Sequence, residues 1–133
     1  MDHLKSTLKI ELSQISDKGP KPENQDTVGA RIPSDDQHST LATKGIAIAV
    51  ADGVSSSSSA RQASQAAVTG FLTDYYATPE TWRTQQSAVR VIHSLNSYLW
   101  GLSQNSIRGE GHLTTFSALV LKGDKLFTFH IGD

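Results

Sequence analysis

Hydrophobic residues alternate with polar ones near the start of the chain, run continuously in one central segment and recur at helical spacing after it. Leu8, Ile10 and Leu12 alternate with Lys9, Glu11 and Ser13, which predicts a half-buried strand over Leu8–Ile15. Asp17-Lys18-Gly19-Pro20 breaks it, and Pro22 keeps the chain irregular up to Asn24. Thr27–Ile32 predicts a short second strand, and Pro33–Ser39 a polar loop in which Asp35-Asp36 reads as a solvated turn. Gly45–Ala51 is unbroken and apolar, as in a strand buried on both faces, and stops at Asp52-Gly53. Ser55–Ser59 reads as a loop closing on a helix N-cap.

Two helices are expected next. Ala60, Ala63, Ala67, Phe71 and Tyr75 form the stripe of the first, which Thr78-Pro79 ends. Thr81 is placed to cap the second, whose stripe is Ala88, Ile92, Leu95, Leu99 and Leu102 behind Trp82; His93 beside it has no ligand partner at metal spacing. Gly109–His112 reads as a loop, and Thr115–Leu121 and Leu126–Ile131 as a hairpin about Gly123-Asp124. This order predicts an α+β architecture, with helices on one face of a largely antiparallel sheet and no internal repeat.

Composition narrows the chemistry. The 133 residues suit one domain or part of one, and a net charge of −1 gives no footprint for nucleic acid or a membrane surface. The absence of cysteine excludes disulfides, thiolate zinc sites and cysteine-nucleophile enzymes. The Gly45–Ala51 run falls far short of the roughly 20 residues of a membrane span, and no apolar signal core opens the chain. A soluble, cytoplasmic chain is expected. It stops on an apolar strand at His130-Ile131-Gly132-Asp133, which reads as a fragment with an unpaired edge.

Asp26, Asp52 and Asp133 follow a turn or end an apolar strand. Carboxylates on such rigid supports suit hard cations such as Mg²⁺ and Mn²⁺, and Gly53 would let a cation approach its carbonyl. Each aspartate also reads as a turn former or cap, and residue types alone leave both readings open.

The segments Ser16-Asp17-Lys18-Gly19-Pro20-Lys21-Pro22-Glu23-Asn24-Gln25-Asp26, Ile48-Ala49-Val50-Ala51-Asp52-Gly53 and Thr114-Thr115 through His130-Ile131-Gly132-Asp133 stand in this order around the two helices. They resemble successive motifs of the metal-dependent type 2C serine/threonine protein phosphatases, most of all the bacterial branch. The resemblance implies a four-layer α-β-β-α sandwich with antiparallel sheets, of which residues 1–133 are the N-terminal part, about half the catalytic domain. It implies hydrolysis of phosphoserine and phosphothreonine in proteins by two Mg²⁺ or Mn²⁺ ions, with a third held more weakly. Asp52 would bridge both ions, and the Gly53 carbonyl would bind one. Gln25 stands where glutamate is common, near the second ion through water. Asp26 would support the site through hydrogen bonds or water, and Asp133 matches the aspartate of the third ion. Thr114 and Thr115 match a structural pair.

Lys21 stands in place of an arginine that binds substrate phosphate, keeping the charge without the bidentate fork. Gln25 removes one negative charge from the family pattern. The implied partners are phosphorylated proteins and, as in some relatives, a cognate or fused serine/threonine kinase. The alternative is a catalytically silent regulatory or phosphoprotein-binding domain of the same fold. The family's remaining metal aspartates would lie beyond residue 133, so the chain alone is expected to be inactive and prone to aggregation.

Overall fold

The computed structural model describes residues 9–54, 58–106 and 111–133. Elements follow in the order β1 (Asp26–Arg31), α1 (His38–Lys44), β2 (Ile46–Asp52), α2 (Ser58–Ala77), α3 (Thr84–Gln104), β3 (Phe116–Lys122) and β4 (Lys125–Ile131). The four strands form one antiparallel sheet in sequence order. The mixed α+β fold is that of a partial α-β-β-α sandwich, with helices on one face of the sheet.

Alternation along the strands separates the two faces. Ala47, Ala49 and Ala51 of β2 and Phe116, Ala118 and Val120 of β3 are buried in the core that includes Ala67, Val68, Phe71 and Tyr75 of α2. The stripe predicted for α2 is buried throughout: Ala60, Ala63, Ala67, Phe71 and Tyr75. Alanine on both surfaces brings helix and sheet close together. At Gly29 of β1 an added Cβ would lie 2.8 Å from Leu72 Cδ1. Phe71 stacks on Tyr75 with ring centroids 5.7 Å apart and meets Phe116 at 5.2 Å. The opposite face carries Val28, Ala30, Ile48, Val50, Leu119, Leu121 and Leu126, an apolar surface with no second layer among the described residues, so the central run expected to be buried on both faces is covered on one only, with Val50 47% exposed.

Three further expectations are corrected. Residues 9–18 form no strand, and Leu12 and Ile15 are 39% and 90% exposed. The alternation over Leu8–Ile15 is real, but these residues have no neighbouring strand to complete a ladder; Leu8 lies outside the described residues. The loop predicted at Pro33–Ser39 runs into α1, a helix too short to show periodicity. It is fixed by tertiary bonds: Tyr75 Oη donates to Lys44 O at 2.7 Å. The Lys44 ammonium, 2% exposed as a residue, donates to Thr78 Oγ1 and Pro79 O just past the carbonyl end of α2, where a cation is favoured. Finally, Arg83 rather than Thr81 precedes α3, and it makes no side-chain cap bond.

The α3 stripe is less buried than predicted. Ala88 is fully covered, but Ile92, Leu95 and Leu99 are half-buried and line a groove of about 450 Å³ against Phe116 and Phe129. Asp35 and Asp36 do lie in a turn, and the β3–β4 hairpin turns at Gly123-Asp124. Parts of the Ser55–Ser59 and Gly109–His112 loops lie outside the described residues.

Phe71→Ala removes a fully buried ring from this core. It is expected to lower unfolding free energy by about 3–5 kcal/mol in a denaturant titration. Trp100→Ala, at a residue 67% exposed, should stay within about 0.5 kcal/mol of wild type.

Candidate functional site

Antiparallel register assembles the site. Asp26, the first residue of β1, lies directly opposite Asp52, the last of β2. Gly53 N–H donates to Gln25 O at 3.1 Å, so the adjoining Asp26–Asp52 pair is of the non-hydrogen-bonded kind, with Cα atoms about 4.5 Å apart. Both aspartates are exposed, and both lie on the sheet face away from the helices. Residues 26 positions apart in sequence thus share one end of one face.

Each strand end is pinned. On the β1 side, Asp26 N–H donates to Asn24 Oδ1 at 3.0 Å, and Asn24 Nδ2 donates to Ser16 Oγ at 2.8 Å. The Glu23 carboxylate lies 3.8 Å from Arg61 of α2. On the β3 side, Thr115 N–H donates to Asp52 O at 2.9 Å, and Asp52 N–H donates to Thr115 Oγ1 at 3.2 Å. A regular ladder would offer the Thr115 carbonyl to Asp52, but that oxygen accepts from the Thr114 hydroxyl at 2.7 Å. The paired threonines therefore clamp the backbone of Asp52, with a hydroxyl standing in for a carbonyl. Val54 N–H donates to Leu113 O at 2.9 Å, and Gly53 bridges Thr114. The Gly53 carbonyl takes part in none of these bonds.

Gly53 is required here by space. A Cβ on it would stand 2.1 Å from Ala60 O in the first turn of α2. The helix start, the end of β2 and the aspartate pair thus form one rigid corner.

The electrostatics follow from the pairing. Partial desolvation beside the neighbouring strand ends pushes the Asp26 carboxyl above its ordinary range, although the residue is exposed. Asp52 adds to this by accepting a hydrogen bond from the protonated acid and by repelling its anion. The Lys21 ammonium pulls in the opposite direction, so Lys21 is near enough to act on the pair. Two carboxylates held together in this way, with a glycine carbonyl beside them, are a donor set that suits a hard divalent cation.

Not all the predicted residues converge. Gln25 is opposite Gly53, so its backbone belongs to the corner. Asp133 follows β4, at the same end of the sheet but two strands from Asp52, about 10 Å across the hydrogen-bonding direction. The described residues contain no cluster of three or more histidine, aspartate or glutamate side chains able to hold a metal ion. The backbone roles of Asn24 and Thr115 had only weak signals, an asparagine two residues before Asp26 and a doubled threonine before a strand.

In metal-free protein, Asp26→Asn should be stabilising at neutral pH. A raised carboxyl pKa means that the folded state binds its proton more readily than the unfolded chain does. The anion therefore destabilises the fold above its folded pKa, and this cost disappears below the ordinary value of 3.8. Thermal melts should show the variant melting higher at pH 7 and the gap closing by about pH 3.

No curated protein matches the chain. The family model for protein phosphatase 2C matches residues 26–133, from the first paired aspartate to the last residue of the chain. The chain belongs to the protein phosphatase 2C family.

Proposed function

We propose that the chain carries part of the active centre of a metal-dependent phosphatase that removes phosphate from serine and threonine in proteins. The carrying observation is the facing pair Asp26–Asp52 beside the Gly53 carbonyl. In this reading Asp52 contacts two Mg²⁺ or Mn²⁺ ions, the Gly53 carbonyl contacts one, and Gln25 acts near the second through water. Asp26 shares protons and hydrogen bonds with Asp52, and Asp133 serves a third ion. When bound, the ions supply a nucleophilic water at neutral pH and neutralise the phosphoryl oxygens.

The chain's own residues do the positioning. Thr115 holds the backbone of Asp52, Gly53 keeps α2 against the strand end, and Lys21 offers one flexible cation for the substrate phosphate. Divalent ions held side by side there would repel each other strongly and would need several carboxylates to offset the charge. Asp26, Asp52 and Asp133 are too few to offset this, so the reading calls for further carboxylates beyond Asp133. It also assigns phosphoproteins as substrates, a serine/threonine kinase as the opposing enzyme and the cytoplasm as the compartment.

The test uses protein from the complete reading frame, a phosphothreonine peptide and Mn²⁺. Wild type should release phosphate only with the metal. Asp52→Asn should reduce kcat at least about 100-fold with the fold intact by circular dichroism, and Lys21→Ala should mainly raise KM. An unchanged rate for Asp52→Asn would refute the site. A folded, inactive wild type would instead favour the silent regulatory domain.

A further inference from the structure

We propose that His112 is a positioning residue for Asp52, acting through residues 111–115. The inference rests on the reading of Asp52 as the central residue of the site.

His112 belongs to neither a strand nor a helix, yet it is only 9% exposed. Its Nε2 lies 2.8 Å from Gln62 Oε1 on α2. The Gln62 carbonyl oxygen can only accept, so the imidazole donates to it from Nε2. Nδ1 is buried and has no hydrogen-bond partner among the described residues. The His112 backbone N–H donates to Ser103 Oγ on α3 at 2.8 Å, and that hydroxyl donates to Leu99 O at 3.0 Å. One residue therefore fastens the segment to both helices. Just before it, Gly111 O accepts from Ser59 Oγ at 3.3 Å.

The next three residues are those that hold the strand end. Leu113 O accepts from Val54 N–H, Thr114 bridges Gly53, and Thr115 clamps Asp52 on both its N–H and its carbonyl. Asp52 is thus referenced to the helix pair by a short tether whose fixed point is His112.

Stability alone gives no reason for a histidine here. A ring nitrogen buried without a partner among the described residues is a cost that leucine or phenylalanine would avoid. What the imidazole adds is a directional bond to α2, which holds the segment at one height along that helix.

Two conservative variants separate this role from space filling. A glutamine amide reaches the position of Nε2 and can keep the bond to Gln62, whereas an asparagine amide reaches only that of Nδ1. The full-length protein would be followed by amide hydrogen exchange without metal, and by kcat and KM on a phosphothreonine peptide with saturating Mn²⁺. His112→Asn should speed exchange at Asp52, Val54 and Thr115 at least about tenfold, with Ala49 and Val120 unchanged. It should lower kcat about tenfold with little change in KM, the low end for residues that orient a metal ligand. His112→Gln should restore both.

Uniform acceleration across the sheet, or unchanged exchange at Asp52, would overturn the proposal. So would equal behaviour of the two variants. If wild type has no phosphatase activity, the functional reading fails, and the exchange measurement still decides whether His112 holds Asp52.

Discussion

The close approach of α2 to the sheet is the constraint on which the rest depends. Ala47, Ala49 and Ala51 of β2 meet the alanine stripe of α2, and Gly29 and Gly53 leave room where a methyl group would collide. Small residues give up hydrophobic area, and close packing recovers dispersion contacts in its place. Phe71, Tyr75 and Phe116 supply the bulk at one side of this seam. Because the helix cannot slide on so close a surface, the end of β2 has one position relative to the start of α2. The aspartate pair inherits that position.

Folding then holds together two groups that repel each other. Facing carboxylates are unfavourable without a counter-charge, and this repulsion adds to desolvation, the larger cause, in raising the carboxyl pKa of Asp26. The cost is carried by an over-determined surrounding: Asn24 on one side, the two threonines on the other and Gly53 beneath. A local conflict embedded in an otherwise consistent fold is where function is expected. Membership of the protein phosphatase 2C family gives that conflict a chemical setting.

Much of this architecture could be read from residue pattern, and the failures have physical causes. β2 and α2 were legible as elements because an unbroken apolar run and a long stripe each leave one solution, although β2 is covered on one face only. α1 was missed because seven residues span barely two turns, and its stability comes from Lys44 and Tyr75, which no local pattern couples. The strand expected over Leu8–Ile15 failed for the converse reason: alternation describes what a strand can do, and pairing requires a neighbour. The α3 stripe was recognised, but its depth was not, since burial depends on how closely β4 approaches. At the site, Asp26 and Asp52 were each identifiable as strand-end acids. Their opposition came only from register, which spacing along the chain does not encode. The same holds for the contacts of Thr115 and His112, which depend on residues more than 40 positions away.

The central claim is that divalent cations bind first at the paired ends of β1 and β2. Titrating Mn²⁺ into ¹⁵N-labelled full-length protein tests it most directly, because the paramagnetic ion broadens amide signals near its binding site. The account predicts early, saturable loss of the Asp26, Asp52 and Gly53 signals, with those of Asp74 and Lys125 retained. Broadening centred elsewhere, or spread evenly over the surface carboxylates, would contradict it.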